Sequence, residues 1–300
     1  LDTGNSSARP TLLIFSRERG PAGEQFDIDK PSWRPLSSPS VQFEIRMVNQ
    51  IMHIFSRLRL FAIRWFKARR YGISYLGTTR TPFPNKLRIR NQFIPISEPL
   101  GNECVFDLFN VLLDDEYGLA KIPTVPAVIV DIGVNMGIFI LGAWQHHPQA
   151  RIFGYEPNPV AFEMAAANLT ITGATLFNEA VGRFSGVCSI IDNSQSRLAR
   201  AVYSDKGTIP VAAISEVLRR AGGRIDFLKI DCEGAEWDIL EDHESLRAVL
   251  NIRMEYHLVN HRTLENLFSL LASGGHRVVK CAEHGSHGVV WSQRDPSLSV

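Results

Sequence analysis

Two groups of acids punctuate this 300-residue chain from Asp131 onward. Asp131 closes an apolar run and is followed by Gly133, Asn135 and Gly137 in VIVDIGVNMG, and Glu156 stands nineteen residues beyond Gly137 in GYEPN. Glycine at alternate positions between a strand and a helix lets a ligand approach the backbone closely. Many such loops hold pyrophosphate, but a carboxylate at the position of Asp131 would repel it in a partly desolvated site. A phosphate-free nucleoside is implied. S-adenosylmethionine, which carries an ammonium and a sulfonium, has the matching charge. Glu156 then suits a ribose clamp, one carboxylate accepting from both ribose hydroxyls, with Pro157 delaying entry into the next helix. The plainer alternative is that Glu156 caps that helix or is solvated. Glu179 and Ala180 end the next strand, where they can touch an adenine edge.

The second group is Lys229, Asp231, Glu233 and Glu236 in KIDCEGAE, with Glu255 and His257 in RMEYH. Strand alternation puts Glu255 and His257 on one face. Methylating an alcohol requires removal of its proton as oxygen attacks the methyl carbon, so Asp231, Glu255 and His257 are the candidate bases. In-line positioning alone can supply most of the acceleration. Lys229, Glu233 and Glu236 are expected on the acceptor side. The structural alternative is that acids in a first helical turn complement the helix dipole and that Asp231 is a cap. Clustered carboxylates can hold magnesium beside a catechol-like acceptor, yet these have no fixed ligand spacing, and no residue is assigned to a metal.

The elements that must carry these residues begin near residue 123. Short β-rich runs near 127–132, 151–156, 175–180, 225–231, 250–256, 276–281 and 287–292 alternate with helical stretches near 136–146, 159–171, 212–222, 234–248 and 262–273. That alternation predicts an α/β fold, a doubly wound, mostly parallel seven-stranded sheet. Residues 282–287 are too few for a crossover, so the last two strands should form a C-terminal antiparallel hairpin. Runs at 186–191 and 207–211 read as an inserted ribbon. The domain reading is 123–300 for the catalytic unit, 47–122 for an N-terminal basic helix and cap region, and 1–46 for a loosely ordered segment. Pro and Ser crowd residues 31–40, and Met47 is the first methionine, so an over-extended start is expected.

Residues 47–70 interleave apolar side chains with Arg57, Arg59, Arg64, Lys67, Arg69 and Arg70. The arginines interrupt the apolar run well short of ~18 residues, which excludes a membrane span. Such a helix can lie peripherally on an anionic membrane, cap the domain or mediate dimerisation. Lys plus Arg number 32 against 31 for Asp plus Glu, so nothing in the net charge favours nucleic acid. Cys104, Cys188, Cys232 and Cys281 are scattered without metal-site spacing, which suggests free thiols and a cytoplasmic setting.

The motifs DIGVNMG from Asp131, YEPNP from Tyr155, NEAVG from Asn178, KIDCEGAEWDIL from Lys229 and MEYH from Met254 resemble, in order and spacing, those of FkbM methyltransferases. These form a branch of the S-adenosylmethionine-dependent class with the seven-stranded fold. The resemblance runs from about residue 116 to His257 and is most specific in KIDCEGAE. It implies O-methylation of a hydroxyl on a sugar, polysaccharide or secondary metabolite. Val134 stands where the family usually has Ala, which should crowd the loop slightly. Two other readings stand beside it. A nicotinamide-dependent oxidoreductase shares the fold but conflicts with Asp131. A non-catalytic methyltransferase-like module would serve a membrane-associated assembly through its basic helix.

Overall fold

The computed structural model describes residues 39–97, 104–191, 200–204 and 206–298. The expectation for residues 1–38 lies outside them. Helix α1 (Pro39–Arg70) starts two turns earlier than the sequence suggested, so residues 39–46 are helical rather than loose. Proline suits the first helical turn, where its missing N–H is not needed, and QFEIR then continues the helix. The chain divides into two compact units, 1–55 and 56–300, with the division inside α1.

A hairpin that the sequence reading omitted follows, β1 (Lys86–Ile89) and β2 (Gln92–Pro95). Arg90 and Asn91 turn it, both with positive φ, at 48° and 64°. Two-residue hairpins favour this mirror-type turn, but Arg-Asn lacks the glycine that usually advertises it. Helix α2 (Cys104–Asp107) runs directly into a π-helical stretch, Leu108–Leu113, which buries Leu108, Phe109, Leu112 and Leu113.

Alternating strands and helices then build the main body. They are β3 (Val128–Ile132), α3 (Ile138–His146), β4 (Arg151–Tyr155), α4 (Pro159–Asn168) and β5 (Thr175–Phe177). After them come β6 (Ala180–Gly182), β7 (Gly186–Ile191), β8 (Arg200–Tyr203), β9 (Ile209–Ala213) and α5 (Ile214–Ala221). The chain finishes with β10 (Phe227–Ile230), α6 (Glu236–Leu240), α7 (His243–Leu246), β11 (Asn251–His257), α8 (Leu264–Ser273), β12 (His276–His284) and β13 (His287–Arg294).

Seven strands form one sheet in the order β12-β13-β11-β10-β3-β4-β5. Five are parallel, and β13 joins β11 antiparallel as one arm of the expected hairpin. Two expectations need correction. The run 175–180 breaks at Asn178, and its second half becomes β6 in a separate four-stranded sheet of order β6-β9-β7-β8. The stretch 234–248 is two short helices rather than one, because Asp242 leaves helical geometry and accepts from the Ser245 N–H as a new N-cap.

Alternation along the strands divides the core. Ile129, Ile152 and Phe227 face one layer with α3, the π-helical stretch and β1, whereas Val128, Val130, Leu228 and Ile252 face the other with α5 and α8. The first layer includes Ala68, Ile73 and Leu113, so residues before 123 share a core with the sheet. Helix α3 is buried on nearly every side, as its IFILGAW sequence requires. Among the described residues no helix is long and apolar enough to cross a membrane.

Candidate active site

The strand order reverses between β3 and β10, and a cavity of about 420 Å³ lies there over the strands' carboxyl ends. Open α/β sheets bind ligands at this switch point, and roughly 300–1,000 Å³ is the usual range for small-molecule sites. Of the residues singled out in the sequence, Gly133, Asn135, Glu156, Pro157, Glu179, Ala180, Lys229, Asp231, Glu233 and Glu255 line the cavity. Asp131, Gly137, Glu236 and His257 are not on its wall.

Asp131 and Lys229 are register partners on parallel strands β3 and β10, so their side chains leave the same face side by side. Lys229 Nζ lies 3.0 Å from Asp131 Oδ1 and 3.4 Å from Asp231 Oδ2, and donates to the Gly133 carbonyl at 2.6 Å. Burial opposes the ammonium, but the two aspartates outweigh it and hold Lys229 above its ordinary range. Asp131 is fully buried, and burial lifts its pKa to about 6 against the pull of Lys229. This corrects the charge argument made from the sequence. Asp131 is neutralised beneath the floor by Lys229, and the acidity facing the cavity comes from other residues.

The glycines are also explained differently. A Cβ on Gly133 would stand 1.8 Å from the Asp231 carbonyl oxygen, with φ at +83°, and one on Gly137 would meet Leu169 at 2.8 Å, with φ at +94°. Internal packing therefore demands both, whatever binds above. Val134 is accommodated by the neighbouring strand, since a Cβ on Gly154 would lie 2.7 Å from Val134 Cγ2.

Glu156 is buried at the end of β4 and accepts from the Asn135 N–H at 2.8 Å and the Asn158 N–H at 2.9 Å. Burial raises its pKa to about 7, opposed by those two N–H groups. Helix α4 is capped by the Asn158 side chain, which accepts from the Val160 and Ala161 N–H groups, so Glu156 is not its cap. Glu179 pairs with Arg220 at 2.7 Å, and that guanidinium lies over Phe177, which stacks on Tyr155.

On the opposite wall, Glu236 departs from its expected place. It is fully buried, accepting from the Gly234 N–H at 2.6 Å, the His257 N–H at 2.9 Å and His257 Nδ1 at 3.0 Å. An acid opening a helix turns back to the N–H groups of its own loop, and that structural reading prevails for Glu236. The Glu236 hydrogen bond pushes His257 up to about 9, and Glu233 lies 3.5 Å from its Nε2. Both ring nitrogens of His257 thus face carboxylates, Nδ1 towards Glu236 and Nε2 towards Glu233. Glu255 does line the cavity, and burial together with Asp231 lifts it to about 8.

Several wall residues escaped the sequence reading. Tyr117, buried, donates its O–H to Asp231 Oδ2 at 3.1 Å, and Glu116, Asp107, His284 and His287 complete the rim. Tyr117 and Asp107 precede the sheet and carry no motif that ties them to it. His284 and His287 bracket the hairpin turn, and their three-residue spacing is the one signal available. Among the described residues no group of three or more His, Cys, Asp or Glu side chains has the geometry of a metal site.

This sheet order, with a glycine loop and strand-end acid at the switch point, defines a Rossmann-like methyltransferase fold. Residues 131–278, just under half of the chain, match the methyltransferase FkbM domain. The chain is similar to methyltransferase sdnD of Sordaria araneosa, 26% identical over 194 residues, covering 51% of this chain and 74% of that protein. It is also similar to methyltransferase 1 of Beauveria bassiana, 24% identical over 201 residues, covering 57% of this chain and 80% of that one. Among solved structures, a precorrin-6y C5,15-methyltransferase from Geobacter metallireducens is 15% identical with a TM-score of 0.39, covering 67% of this chain and 93% of that one. M. capricolum TrmK, in complex with S-adenosylhomocysteine, is 12% identical with a TM-score of 0.35, covering 60% and 66%.

Proposed function

We propose that the protein transfers the methyl group of S-adenosylmethionine to a hydroxyl of a sugar, polysaccharide or secondary metabolite. The observation that carries this is Glu156, a buried carboxylate anchored by two backbone N–H groups at the β4 end, opening onto a cavity that is rich in acids. Asp107, Glu116, Glu156, Asp231, Glu233 and Glu255 surround the space, with Lys229 as its nearby cation. Such walls favour a sulfonium and an ammonium and disfavour the pyrophosphate of a dinucleotide.

When bound, the donor offers a methyl carbon on positive sulfur, which passes to the attacking oxygen as the carbon–sulfur bond breaks to a neutral thioether. Gly133, Asn135 and Glu156 hold its nucleoside in this reading, Glu156 through the ribose hydroxyls, and Glu179 and Ala180 flank the base. Asp231 takes the hydroxyl proton. It is the carboxylate beside Lys229, its side chain is 27% exposed, and Tyr117 orients it. Glu255 and Glu233 line the acceptor side.

Calorimetric titration with S-adenosylmethionine tests the donor site. Binding is expected, and Glu156→Ala should weaken it by about 1–3 kcal/mol through lost charge-assisted hydrogen bonds. Unchanged affinity would remove the clamp. Mass spectrometry of a hydroxyl-acceptor panel tests the reaction. Donor binding without any methylated product would favour the non-catalytic reading.

A further inference from the structure

Helix α1 interleaves apolar and cationic side chains. Its C-terminal part holds the body with polar side chains: Arg64 Nε donates to Asp114 Oδ1 at 3.0 Å, and Lys67 donates to the Leu113 carbonyl. Ala68, on the same side, is fully buried. A helix advances about 100° per residue, so Phe66 lies on the far side of the axis from Arg64. Phe66 is 66% exposed and Leu58, about two turns earlier, 59%. Large apolar side chains turned outward this consistently are a surface for something.

The charges select the occupant. At that advance Arg59, Arg69 and Arg70 fall on the same outward half, Arg57 adds another cation, and residues 56–70 carry no carboxylate. A second copy of the chain would bring a second set of these cations into contact with the first. An anionic bilayer presents hydrocarbon to Phe66 and Leu58 and phosphates to the arginines, whose long stems let the guanidinium reach the headgroups. The helix is too charged to cross. From these observations we infer that residues 56–70 of α1 lie against an anionic lipid surface, outward side down, and hold the methyltransferase body there. This stands independently of the acceptor's identity.

Flotation of the full chain with vesicles tests it. The chain should float with phosphatidylcholine vesicles containing phosphatidylglycerol, and much less with phosphatidylcholine alone. Leu58→Glu combined with Phe66→Glu should cut the bound fraction at least about tenfold, with the thermal midpoint kept. Arg59→Glu combined with Arg70→Glu should remove the salt-sensitive part of binding. Failure of the parent chain to float with anionic vesicles would overturn the inference, as would equal flotation of the apolar-face variant. Light scattering of the lipid-free chain provides a separate check: a dimer that this same variant converts to monomer would overturn it in favour of self-association.

Discussion

The residues nearest the chemistry differ in what their surroundings let them do. His257 turns Nδ1 to the buried Glu236, whereas Asp231 lines the cavity. Asp231→Asn should therefore lower kcat by roughly 10²–10⁴-fold, the usual weight of a general base. His257→Ala should lower the thermal midpoint and leave the shape of the kcat–pH profile unchanged. Loss of the acidic limb in the histidine variant would instead identify His257 as the base. Glu156 and Glu255 titrate near about 7 and about 8 because they are buried. A cationic donor favours their ionised forms, so its affinity should rise between pH 6 and 8 with proton release. Calorimetry in two buffers of different ionisation enthalpy would measure that release.

At the scale of elements, the site depends on strands that touch and on a loop held against the sheet. Gly133 is pressed on the carbonyl of Asp231 across the β3–β10 pair. Gly133→Ala should cost more than about 2 kcal/mol in denaturant unfolding, since a left-handed backbone and a clash coincide. Tyr117 comes from a segment that precedes the sheet, and Trp291 on β13 fastens that segment. Its indole N–H donates to the Glu116 carbonyl at 2.9 Å, and its ring leaves no room for a Cβ on Gly118. Trp291→Phe should lose about 1 kcal/mol of stability with the hydrogen bond, and lower kcat more than donor affinity by loosening Tyr117. Steady-state kinetics beside donor titration would separate the two.

For the molecule as a whole, the cavity's acids cost stability until something occupies it. Glu156 and Glu255 have folded pKa values above the ordinary carboxylate range, and that of His257 is raised to about 9. In each case the native state holds the proton more tightly than the unfolded chain, so stability declines as pH rises through the folded value. The thermal midpoint should fall from pH 6.5 to 9, and saturating donor should raise it more at pH 8 than at pH 6.5. A midpoint that climbs across this interval would contradict the assigned shifts.

The residue order alone determined the sheet, the glycine loop, the strand-end acids and the adjacency of KIDCEGAE to the first strand. These follow from apolar periodicity and from the rule that parallel strands end together. Only the tertiary structure decided the charge of the site. Lys229 lies against Asp131 because parallel register sets them side by side, and Glu236 holds His257 because a helix start meets a strand end. Both pairs are separated by many residues, and period and composition carry no information about such distances. Tyr117, His284 and His287 were hidden for the same reason, since packing against Trp291 and a hairpin turn brings them to the rim.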